Sequence, residues 1–191
     1  MDTAYVIDPR RTWAMPEKFL AEEADPRRRQ ILEVLIAHAK AEARADFDAL
    51  MATVSPRAHY RSYATDDPAM NEAQSPQGKD GIAAYYRGIV ESGCHFLEHA
   101  TERMALGRDT ITTEGELKMA YPGNILGGMG IAVPDPDALY LYQQRLLIVW
   151  EFDEDGLVLC EDSYSGGGVK FEGIAGRPVS REQIYAVSPD D

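Results

Sequence analysis

From Arg27 the chain repeats apolar residues at helical spacing. In "RRRQILEVLIAHAKAEARADFDALMATVSP", Ile31, Leu32, Leu35, Ala39 and Ala43 recur at intervals of one, three and four. Strong helix formers fill the positions between them, and Pro56 limits the run. Residues 1–26 are punctuated by Pro9, Pro16 and Pro26 and read as an arm, with a short helix in "PEKFLAEEA" that has Pro16 in its first turn. "AHYRSYA" alternates aromatic and polar residues and predicts a strand. A polar loop, "TDDPAMNEAQSPQGKDG", leads to a second helix in "KDGIAAYYRGIVESG". Ile82, Tyr85, Tyr86 and Ile89 share its face, Asp80 is its N-cap and Gly93 its stop.

Beyond Gly93 the period shortens. "CHFLEHATERMALGRD", "TITTEGELKMAYPG", "ALYLYQQRLLIVWEFDE" and "GLVLCEDSYSGG" predict strands separated by turns. "NILGGMGIAVPDPD" is a long loop within residues 122–138, and residues 169–191 are a tail with one helical turn. One domain over residues 27–168 follows, with helices segregated from a mostly antiparallel sheet: the α+β class.

"WEFDEDGLVLCEDSY" sets which side chains share a face. Glu154-Asp155-Gly156 suits a three-residue hairpin loop with glycine in the left-handed position. Phe152 then faces Val158, Trp150 faces Cys160, Ile148 faces Asp162 and Leu146 faces Tyr164. That register puts Asp162 among apolar neighbours, where poor solvation makes a carboxyl an acid or base near neutral pH. A one-residue slip would put Glu161 there instead. Both faces of the hairpin carry apolar residues, so both need covers: helices on one, a second subunit on the other.

The net charge of −13 opposes binding to nucleic acid or an anionic membrane surface. Cys94 and Cys160 form neither a disulfide framework nor a four-cysteine zinc site. No signal-peptide pattern and no membrane-length apolar run are visible, so a cytoplasmic location is expected. "HFLEH" matches the H-x-x-E-H zinc signature, which requires a helix. On a strand, His95 and His99 lie ~13 Å apart and cannot share one zinc. "GGMG" has no helical pattern after it and is no nucleotide loop. Neither metal nor cofactor is expected.

As a set, these segments resemble the nuclear transport factor 2-like fold, and within it the SnoaL-like group of polyketide cyclases, dehydratases and hydrolases. The resemblance spans about residues 27–168 and rests on "ADFDALMATVSPRAHY", "GKDGIAAYYRGIV", "FLEHATERMALGRDTITTEGELKMAY" and "RLLIVWEFDEDGLVLCEDSY". It implies a cone-shaped barrel, a curved and mostly antiparallel sheet wrapped around N-terminal helices to enclose an apolar pocket. It also implies a homodimer through the outer sheet face. His99 matches a strand histidine that acts as base in dehydratase-like members. Its acidic partner on the long first helix falls near Glu42, with Ala43 the closer match by count. Asp162 resembles the last-strand carboxylate of epoxide-hydrolase-like relatives.

The expected protein is a cofactor-independent acid/base enzyme of dehydratase, isomerase or hydrolase type, acting on a small apolar molecule. His99, Glu42 and Asp162 are the catalytic candidates. Tyr60, Tyr85, Tyr121, Tyr142, Trp150 and Tyr164 are the candidate substrate contacts, the tyrosines as hydrogen-bond donors. The alternative is a non-catalytic dimer of the same fold that holds a small ligand or a partner.

Overall fold

The computed structural model describes residues 5–188 and 191. Among the described residues six α-helices and six strands follow one another in the order α1 (Arg10–Glu22), α2 (Pro26–Ala43), α3 (Phe47–Ala52), β1 (Val54–Tyr63), α4 (Pro68–Ala73), α5 (Gly78–Glu91), β2 (Leu97–Leu106), β3 (Thr110–Pro122), α6 (Gly123–Gly128), β4 (Leu139–Phe152), β5 (Val158–Ser165) and β6 (Pro178–Val179). The sheet runs β1-β5-β4-β3-β2, with β6 paired to one end of β4. Among these strands β1 and β5 pair in parallel and the other pairings are antiparallel. The sheet is curved and does not close, so the expected barrel is an open cone. None of the described helices is long and apolar enough to cross a membrane.

The predicted first helix is two helices. Asp25 caps α2 by accepting hydrogen bonds from the Arg27 and Arg28 amides, with Pro26 in the first turn. The helix stops at a left-handed Ala45, and Asp46 restarts the chain as the cap of α3. Ile31, Leu32 and Leu35 are buried against the sheet, each contributing about 2 kcal/mol through removal of its side chain from water. The arm also departs from expectation: α1 begins right after Pro9 and carries Pro16 within it. Short helices α4 and α6 interrupt segments read as loops, and Asp80 lies in the first turn of α5, whose N-cap is Gln77.

α1 shields the free edge of the sheet. β2 is an end strand, and its His99 amide donates to Thr12 Oγ1 (3.0 Å). An edge so capped cannot recruit another strand at that point. Glu98, beside it, is fully buried and ties the arm down. It accepts hydrogen bonds from the Asp8 amide (2.7 Å), Arg11 (2.8 Å) and Lys118 (3.4 Å). The tail completes the clamp through a bridge between Ile7 and Ile184.

The β4–β5 register differs from the predicted one by a residue. Gly156 adopts φ +86° and closes the turn as expected, and Phe152 pairs with Val158. The register then shifts: Glu151 pairs with Cys160, Trp150 with Glu161, Ile148 with Ser163 and Leu146 with Ser165. A β-bulge at Leu159 adds one residue to β5 and exchanges its faces. It lies where β5 also engages β1, the Val158 amide donating to the Thr53 carbonyl (2.9 Å).

Candidate functional site

The concave face of the sheet, α2 and α5 enclose a cavity of about 630 Å³ with a predominantly apolar wall. Trp150, Ile148 and Leu146 from β4, Leu117 from β3 and Leu35 from α2 supply much of that wall. A space of this size suits a small organic ligand. Tyr121, Tyr142 and Phe171 pack ring to ring at one side of it.

Two carboxyls reach into this volume. Glu42 comes from the last turn of α2, and Glu161 from the inner face of β5 next to Trp150. Burial pushes Glu42 up to about 7. Burial, then the charge of Glu42, pushes Glu161 up to about 8. The pair therefore titrates as a unit: the first proton leaves Glu42, and the resulting anion makes the second harder to remove. Between about 7 and about 8 the pair carries one proton, held on Glu161.

Tyrosine hydroxyls surround the pair. Tyr86 Oη lies 3.0 Å from Glu161 Oε2, and Tyr60 Oη is 3.5 Å from Tyr86 Oη. Desolvation, and then Glu161, hold the phenols of Tyr60, Tyr85 and Tyr86 well above the usual range, so they remain neutral donors. Behind Tyr86, His38 bridges Tyr86 Oη (2.9 Å) and Thr53 Oγ1 (2.8 Å). Trp150 donates its indole N–H to Thr113 (3.1 Å), and Tyr142 donates to Gln144 (2.8 Å), which fixes both rings in the wall.

The predicted residues divide. Glu42, Tyr60, Tyr85, His99, Tyr121, Tyr142 and Trp150 line the cavity. Asp162 and Tyr164 do not, because the bulge turns them to the outer face. There Asp162 faces Arg61 (3.6 Å), and Tyr164 stacks on Tyr63 with ring centroids 4.6 Å apart. Glu161 takes the place predicted for Asp162. His99 points inward from β2 without the expected carboxylate. Its Nε2 lies 3.2 Å from the Leu146 carbonyl, and among the described residues no carboxylate hydrogen-bonds to it. Burial pushes it down to about 4, so it is a neutral imidazole with Nε2–H given to Leu146. Glu42 acts electrostatically on Glu161 and the tyrosines instead. His95 precedes β2 and His99 lies within it, so no helical face joins the two as a zinc signature would need.

The sequence shows His38 one helical turn before Glu42 and Tyr86 on the apolar face of α5 with Ile82; what it does not show is that Thr53, His38 and Tyr86 connect to one another.

The sheet order, the helices filling its concave side and the cavity between them define the nuclear transport factor 2-like fold. Solved structures of that fold align over most of this chain. A SnoaL-like polyketide cyclase candidate from Shewanella putrefaciens has a TM-score of 0.58 at 11% identity, covering 79% of this chain and 86% of its own. An LEH-like epoxide hydrolase of M. tuberculosis has a TM-score of 0.54 at 14% identity, covering 78% and 91%. A protein of ketosteroid isomerase-like fold from Catenulispora acidiphila, in complex with trimethylamine, has a TM-score of 0.53 at 12% identity, covering 76% and 94%. No family model and no curated relative matches the sequence. At these identities the likeness shows the fold.

Proposed function

We propose that this protein is a cofactor-independent acid/base catalyst acting on a small, mostly apolar molecule, with Glu42 as base and Glu161 as acid. The observation that carries the reading is the placement of two carboxyls in one apolar cavity, where burial raises both toward neutral pH. A base in such a space is poorly hydrated and strong enough to take a proton from a carbon beside a carbonyl, or from water. The neighbouring acid returns a proton to the oxygen or carbon that becomes basic. Double-bond migration and opening of a strained ring need the same two operations. Tyr60 and Tyr85 add neutral donors for an oxygen of the substrate. Neighbours of this fold include an epoxide hydrolase and a protein of ketosteroid isomerase-like fold, in keeping with such chemistry.

The test is a panel of enolisable cyclic ketones and of epoxides. Proton exchange in deuterated water is followed by NMR, and ring opening in ¹⁸O-labelled water by mass spectrometry. Turnover should rise as Glu42 loses its proton and fall as Glu161 loses its own, giving a bell with its maximum between about 7 and about 8. Glu42→Gln and Glu161→Gln should each lower the rate roughly 10²–10⁴-fold. Tight ligand binding with no turnover across the panel would make the cavity a binding site without chemistry, and full rates in both variants would remove the roles assigned to Glu42 and Glu161.

A further inference from the structure

The hydrogen bonds behind Glu161 have a direction, which follows from counting protons. Thr53 has one hydroxyl proton and donates it to the Leu50 carbonyl (2.6 Å), which can only accept. Thr53 Oγ1 must therefore accept from His38 Nδ1, 2.8 Å away, and the ring carries its proton there. His38 Nε2 is then a bare lone pair facing Tyr86 Oη at 2.9 Å, so Tyr86 gives its only proton to His38. Taken alone, the 3.0 Å contact between Tyr86 Oη and Glu161 Oε2 would have the phenol donate, but on this count its proton is already given to His38 and the phenol oxygen is left to accept. A neutral carboxylic acid satisfies that contact, and a carboxylate does not. We propose that Thr53, His38 and Tyr86 form a one-way relay, anchored on the Leu50 carbonyl, that holds Glu161 in its acid form and leaves Glu42 as the base.

This inference rests on reading the cavity as an acid/base site and assigns positioning roles to three residues outside the reacting pair. Burial and the neighbouring carboxylates favour the acid form of Glu161, whereas a Tyr86 hydroxyl that donated to it would favour the anion. Glu42 from α2, Tyr60 from β1, and Tyr85 and Tyr86 from α5 face it, and Asp162 is its neighbour on β5. The charges that raise it are those of Glu42 and, more weakly, Asp162, which is itself paired with Arg61 at 3.6 Å. His38 is pushed down to about 4 by burial, so an imidazolium that donates from both nitrogens is not populated at neutral pH. Ionising Glu161 requires three linked changes. Tyr86 must turn to donate to Glu161, His38 must move its proton to Nε2, and Thr53 must leave Leu50 for His38 Nδ1.

The experiment is a carboxyl titration that needs no substrate. Protein with ¹³C-labelled glutamate side chains is titrated by NMR, and the Glu161 resonance is identified by its loss in Glu161→Gln. Thr53→Val keeps the shape of the side chain and removes the hydroxyl that orients His38. The Glu161 midpoint should fall by about one pH unit, the worth of one ordinary hydrogen bond. Thr53→Ser restores the hydroxyl and should restore the midpoint. His38→Leu frees the Tyr86 proton for Glu161 and should lower the midpoint as well, a second reading one link further along. If Tyr86 instead donates to Glu161 in the native protein, both Thr53→Val and His38→Leu weaken that donor and the midpoint rises. A rise or no change in the two variants overturns the relay. A lowered midpoint together with an undiminished rate in Glu161→Gln keeps the relay and removes the catalytic reading, so the two fail separately.

Discussion

Replacing Glu161 by Gln should make the protein more stable in alkaline solution and leave it unchanged in acid. The amide keeps the shape of the neutral acid and still presents an N–H toward Tyr86, but it cannot ionise. The magnitude comes from the displaced titration. Glu161 moves from an ordinary 4.5 to about 8, so at ~1.4 kcal/mol per pH unit the folded state forgoes up to about 5 kcal/mol by the time it ionises. Water entering the cavity offsets part of this, and about 2–3 kcal/mol is a realistic expectation. The sign follows from proton binding. Between 4.5 and about 8 the folded chain holds a proton that the unfolded chain has released, so stability falls as pH rises across that window. The advantage of Glu161→Gln should therefore be near zero at the lower limit, grow through the window and level off above it. Urea unfolding of both proteins at half-unit pH intervals measures it, provided the transitions stay two-state with equal slopes. A difference that is constant with pH, or one that grows toward acid, would refute the claim that Glu161 is held neutral.

Three further outcomes test other parts of the structure. His99 should remain a neutral Nε2–H imidazole from pH 8 down to 5, as read by ¹⁵N shifts, because its folded titration lies near 4; a midpoint above 6 would contradict its placement. Glu98→Ala should cost roughly 3–5 kcal/mol, because Lys118 loses a buried counter-charge and the Asp8 amide loses its acceptor. Urea unfolding and faster protease cleavage in the link between α1 and α2 would register it, and native-like resistance would show that the arm is held by other means. Gly115→Ala should cost about 3 kcal/mol or more, since the added methyl would lie 1.9 Å from the Ala100 carbonyl oxygen across the β2–β3 pairing; thermal unfolding within a degree of native would contradict that close approach.

Much of the fold was legible because its signals are local. The stripe from Ile31 to Leu35, the Tyr86 face of α5 and the left-handed Gly156 each depend on a few adjacent residues, and each appears as read. The parts that were not legible depend on contacts distant in sequence. Nothing near Ala45 announces that it adopts φ +53° and splits the predicted helix. Pro16 suggested a helix start, yet α1 has already begun at Arg10, packed against α2 and β2.

By itself, then, the chain determined that helices would fill one side of an antiparallel sheet and that a carboxyl from β5 would stand beside Trp150. Which carboxyl it is was left to tertiary structure. Strand faces alternate with every residue, so one inserted residue exchanges them all. The Leu159 bulge, formed where β5 is held between β4 and β1, moves Glu161 inward and Asp162 outward. The partners of Glu161, which are Glu42 from α2 and Tyr86 from α5, meet it only because three elements far apart in the chain close around one cavity.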